Sequence, residues 1–150
     1  MSGPFPPIET LLPHRPPMIL LDAVVACDEA RLSAVVTIRP TSLFRDAHRV
    51  PGHIGIEYMA QACGAFAGAE ALRRGEAVRI GFLLGTRRYI MHAPWFHLGE
   101  CLTVSVSLGY RDESMATFDG RIDVAGTLAA EARLTVYQPQ VAVEDIGFVL

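Results

Sequence analysis

A chain of 150 residues, 51% of them hydrophobic, is long enough to bury a full core in one domain. Its formal net charge of -3 gives no reason to expect nucleic acid as a partner. All 13 basic residues are arginines, which excludes a lysine Schiff base, pyridoxal-phosphate chemistry and a P-loop.

Cys27, Cys63 and Cys101 are odd in number and widely spaced, an argument against a disulfide framework and against a zinc site. No metal and no other cofactor is expected. No charge-free apolar stretch reaches the ~18 residues of a membrane span. Met1 to Pro7 lacks the basic start and apolar run of a signal peptide, so a cytoplasmic protein without membrane contact is expected.

In chain order, Met1 to Pro7 reads as an extended arm and Ile8 to Leu12 as one helical turn before Pro13. Met18 to Ala26 and Arg31 to Arg39 read as strands paired across Asp28-Glu29-Ala30, the second with Leu32, Ala34, Val36 and Ile38 on one face. Pro40 to Val50 reads as a loop. The stretch Val50 to Gly75 then predicts about six turns of helix after Pro51-Gly52, apolar nearly all round until Glu70 and so buried. Strands follow over Val78 to Met91, interrupted at Gly85, and over Cys101 to Tyr110. Met115 to Val124 and Thr127 to Tyr137 read as a hairpin joined at Ala125-Gly126. The last four strands read as a meander, and Pro139 to Leu150 has no clear pattern. This order fits an α+β fold in which a curved antiparallel sheet of about six strands wraps one long helix of small residues.

Glu57 and Gln61 lie four apart on one face of that apolar helix. An unpaired carboxylate is costly to bury and finds a partner or neutralises. Glu57 is therefore either a site for chemistry or a partly solvated acid offsetting the helix dipole. Cys63, on the same helix, reads as a small core residue.

The motifs Leu12-Pro13-His14-Arg15, Leu20-Leu21-Asp22, Pro51-Gly52 leading to Glu57, and Ala60-Gln61 resemble the hot-dog 3-hydroxyacyl-acyl-carrier-protein dehydratases over Ile8 to Tyr137. Gly85, Gly99 and Gly120 fall at plausible family positions. The forms G-I-E-Y-M-A-Q and L-P-H-R-P-P-M look closest to a divergent dehydratase-like branch of bacterial aryl-polyene pathways. The resemblance implies loss of water from a 3-hydroxyacyl thioester of acyl carrier protein or coenzyme A, by a homodimer with sites at its interface. It also implies Glu57 as the acid, with Gly52 and His53 amides polarising the thioester carbonyl and Gln61 beside the substrate.

The family's catalytic histidine, carried in an H-F-P-G motif before the helix, has no counterpart here. His48 on its loop, His53 four residues before Glu57, and His14, read as structural, are the alternatives. His92 and His97 have no third ligand in sight for a metal. Trp95 and Phe96 either line an acyl tunnel or belong to the core, and Arg73-Arg74 and Arg87-Arg88 either meet an acidic carrier protein or are solvated. Without the family histidine, a thioesterase using Glu57 and a catalytically inactive acyl-binding subunit stay open beside the dehydratase.

Overall fold

The structure, a computed structural model, describes residues 5–78 and 81–138. The expectations for the last twelve residues and for the first four lie outside these. A 3-10 turn at Ile8–Thr10 precedes β1 (Ala23–Cys27) and β2 (Arg31–Thr37). A short β3 (Arg49–Pro51) and a 3-10 turn, Gly52–Ile54, lead into α1 (Gly55–Arg73). Then come β4 (Phe82–Met91), β5 (Trp95–His97), β6 (Cys101–Arg111), β7 (Met115–Val124) and β8 (Thr127–Tyr137).

Six strands form one antiparallel sheet in the order β1-β2-β6-β7-β8-β4, and α1 packs against it, as the alternating strands and buried helix predict. The inward residues of β2 and β6, Leu32, Ala34, Val36, Leu102, Val104 and Val106, are all buried. They meet Tyr58, Met59, Ala62, Cys63, Ala65 and Phe66 of the helix in one core. Phe66 stands edge-on to Phe118 of β7, with ring centroids 5.4 Å apart, a favoured aromatic geometry. The β7–β8 hairpin turns on Ala125 and Gly126, both at positive φ, as a two-residue primed turn requires.

Three expectations are corrected. The last four strands are not a simple meander: β6, β7 and β8 are, but β4 lies at the sheet edge beside β8. The first strand begins at Ala23 rather than Met18, because the Gln61 side chain takes the Leu20 N–H and the Met18 carbonyl that a neighbouring strand would otherwise bond. Arg49–Pro51 and Trp95–His97 pair as a separate two-stranded ribbon, the first at the end of the segment read as loop and the second in a stretch assigned to no element. That ribbon holds the start of the helix against β5, with Phe96 fully buried against Tyr58.

Candidate active site

The approach to α1 is built by close main-chain contact. Gly52 is buried, and a Cβ there would lie 2.5 Å from the Ala93 carbonyl oxygen and 3.0 Å from that of Pro94. The Gly52 N–H is donated to the Pro94 carbonyl at 2.8 Å. The amide expected to face an acyl oxygen is therefore used within the fold, and only the neighbouring His53 N–H is left for that part. The Gly52 carbonyl accepts a hydrogen bond from the Tyr89 hydroxyl at 2.5 Å. Burial pushes the Tyr89 phenol up to about 12, so it remains a donor at neutral pH.

Glu57 sits in the first turn of α1, exposed on its own chain. Among the described residues it has no hydrogen-bond or ion-pair partner. It does not point into open solvent alone: it lines a cavity of about 340 Å³. One wall is the small-residue side of the helix, Ala60, Gly64 and Ala67; the facing wall includes Met115, Phe118 and Val136. The cavity reaches Glu70, which is paired to Arg111 at 2.6 Å. At ~1.5 Å of rise per residue, Glu57 and Glu70 stand about 20 Å apart, so the cavity is long and mostly apolar, with Glu57 at one end and the charged Glu70–Arg111 pair at the other.

Gln61 is buried in the wall behind Glu57. Its Oε1 accepts from the Leu20 N–H at 2.8 Å, and its Nε2 donates to the Met18 carbonyl at 2.6 Å. The direct substrate contact expected of it gives way to a main-chain clamp that fixes the segment carrying His14. His14 lines the same cavity as Glu57. Its Nδ1 is buried with no hydrogen-bond partner. Burial holds the imidazole below its usual range, and the Glu57 carboxylate partly opposes that shift.

The other candidates fall elsewhere. His53 is exposed and makes no hydrogen bond or ion pair with Glu57 among the described residues, because it lies in the tighter 3-10 turn rather than in α1. His48 is exposed on its loop, where its carbonyl accepts from the Leu98 N–H. Neither borders the channel. His92 Nε2 meets Glu131 at 2.8 Å on the surface, and no cluster able to hold a metal occurs among the described residues. Phe96 is core, and Trp95 lies under the Arg49 guanidinium, 3.6 Å from the ring centroid. Cys63 is buried and its thiol is pushed up by burial, the state of an inert core residue. Sequence reasoning passed over Tyr89 and set His14 aside; each earns its place through contacts that only the folded chain creates.

One long helix packed against a six-stranded antiparallel sheet defines the hot-dog class. The model of the ApeP-like family, described as ApeP dehydratase, matches residues 6–147, and the chain belongs to that family. A solved structure, the dehydratase heterocomplex ApeI:P from Xenorhabdus doucetiae, is 33% identical with a TM-score of 0.86, covering 91% of this chain and 93% of that one. The 3-hydroxyacyl-[acyl-carrier-protein] dehydratase FabZ of Rhizorhabdus wittichii is 28% identical over 131 residues, 83% of this chain and 82% of that protein. A hypothetical thioesterase with coenzyme A from Streptococcus pneumoniae, 12% identical with a TM-score of 0.63 over 79% of this chain and 86% of its own, shares the fold. No helix among the described residues is long and apolar enough to cross a membrane.

Proposed function

We propose that this protein supplies the acid half of a dehydratase site for 3-hydroxyacyl thioesters, in the cytoplasm, with acyl carrier protein or coenzyme A as the carrier. The observation that carries the reading is Glu57, without a hydrogen-bond or ion-pair partner among the described residues, at one end of a long, mostly apolar cavity. An acid there gives its proton to the departing 3-hydroxyl. The C2–H bond breaks to a base, its electrons form the C2–C3 double bond, and the hydroxyl leaves as water. The His53 N–H at the helix start stabilises the charge that develops on the thioester oxygen.

The base is proposed to come from a second chain. Neither His48 nor His53 reaches the channel, and Glu57 is open to solvent where a neighbour could cover it. The outer edge of β4 also lacks a strand partner among the described residues, as a site for sheet-to-sheet pairing would. The likeness to a heterocomplex favours a second, different hot-dog chain over the homodimer that the family resemblance implies. The test is to incubate the protein, alone and with such a partner, with 3-hydroxyacyl and saturated acyl carrier proteins and to weigh the products. Enoyl product only from the mixed assembly supports the proposal. Enoyl product from this chain alone refutes the need for a different partner chain, and free carrier thiol from either substrate replaces the dehydratase with a thioesterase.

A further inference from the structure

At the Glu57 end, the polar side chains lining the cavity include Glu57, Gln61 and His14. The Gln61 amide is engaged at both ends by main chain. We propose that His14 is a substrate-contacting residue: its imidazole accepts a hydrogen bond from the 3-hydroxyl of an acyl thioester seated against Glu57, so that the site selects 3-hydroxyacyl groups over acyl groups lacking the hydroxyl. The inference rests on the dehydratase reading above and adds the group that recognises the hydroxyl.

Three observations carry it. The first is the Nδ1 atom, enclosed and without a hydrogen-bond partner among the described residues. A buried polar atom left unpaired is a standing cost, and such atoms in native proteins call for an explanation. The wall beside it includes Met18 and Phe44, both nearly half exposed and able to give way to a ligand. The second is the chemistry of the pair. A hydroxyl about to leave as water needs a donor at its oxygen and an acceptor for its hydrogen. The Glu57 carboxylic acid of the proposed mechanism is the donor, and neutral imidazole, which burial favours here, is the acceptor.

The third observation is placement. The segment bearing His14 is not a loose loop. Pro13 and Leu12 are buried, Arg15 Nη1 donates to the Pro13 carbonyl at 3.2 Å, and Gln61 ties Met18 and Leu20 to the helix that carries Glu57. Acid and imidazole are thus held on one rigid unit, as a recognition pair requires.

The experiment measures binding of two coenzyme A thioesters of equal chain length, one 3-hydroxyacyl and one saturated, to the purified assembly. Glu57→Gln serves as the background, so that substrate is bound but not consumed. The parent is expected to prefer the hydroxylated thioester by about tenfold, the scale of one buried hydrogen bond. His14→Leu is expected to bring that preference near unity while affinity for the saturated thioester stays unchanged. His14→Asn, which restores an acceptor close to the Nδ1 position, is expected to recover part of it, and it decides the matter should His14→Leu not fold. A preference retained in His14→Leu, an equal loss for both thioesters in a folded variant, or a parent with no preference overturns the inference. Enoyl production by the wild-type assembly together with a retained preference removes His14 alone; absent enoyl production removes the dehydratase reading itself.

Discussion

Gly68→Ala sets helix propensity against packing. Gly68 lies in the second turn from the end of α1 and is buried. A Cβ there would collide with the Leu11 carbonyl oxygen, with the Leu11 carbonyl carbon at 2.8 Å and its Cα at 3.0 Å. All three are main-chain atoms, so no side-chain tip can swing aside. Alanine in place of glycine inside a helix gains about 1 kcal/mol, whereas forcing atoms into a packed site costs about 1–3 kcal/mol. Displaced main chain belongs at the upper end of that range, leaving a net loss of about 1–2 kcal/mol. At ~2–4 °C per kcal/mol for a chain of this size, Tm falls by roughly 2–8 °C. The companion variant is Gly64→Ala, one turn earlier, whose Cβ meets only the Leu12 Cδ2 tip at 3.1 Å. It is expected to hold or raise stability by up to about 1 kcal/mol. Thermal and urea denaturation of the two proteins side by side gives the comparison. If both are stabilised alike, Leu11 is not seated on the helix, and the rigid placement argued for His14 three residues later fails with it.

Gln61→Leu keeps the volume and removes both main-chain bonds, leaving the Leu20 N–H and Met18 carbonyl without their partner. A loss of about 2–4 kcal/mol is expected from the urea midpoint, and a change below ~0.5 kcal/mol would show that the clamp is not formed. Stability should also depend on pH through His14, whose folded value lies below its ordinary 6.5. Burial disfavours the imidazolium, so the unfolded chain takes up the proton first. The contribution is fully present above the ordinary value and is lost as pH falls from there through the folded value. Unfolding of wild type and His14→Leu compared on either side of that window should show the smaller acid loss in the variant; parallel curves would contradict it.

The parts of the fold legible in the sequence are those whose pattern is local. Leu102, Val104 and Val106 alternate with polar residues over a long strand, and the run from Gly55 to Ala69 is too apolar to be anything but a buried helix. Three-residue strands such as Trp95–His97 carry no period to read. Met18 to Leu21 has the composition of a strand, but the Met18 carbonyl and the Leu20 N–H bond a helix side chain far away in sequence. The position of β4 depends on where the chain re-enters the sheet after α1, which strand patterning does not encode.

The site divides along the same line. Glu57 was visible because an acid stands out among alanines and glycines. The occupied Gly52 N–H was not, since its acceptor, Pro94, comes from the β4–β5 connection. His14 sits in a motif that reads as structural, and only its burial beside Glu57, with an unmet nitrogen, marks it out. His53, a candidate because it stands four residues before Glu57, is separated from it by the change from 3-10 turn to α-helix.

The most direct measurement is the mass of a 3-hydroxyacyl carrier protein after exposure to the assembled protein carrying Glu57→Gln, with the wild-type assembly alongside. Loss of one water with wild type, and a drop of at least 100-fold in that rate for the folded variant, is the expected result. Equal rates of water loss from both proteins would take Glu57 out of the chemistry and leave the channel without its acid.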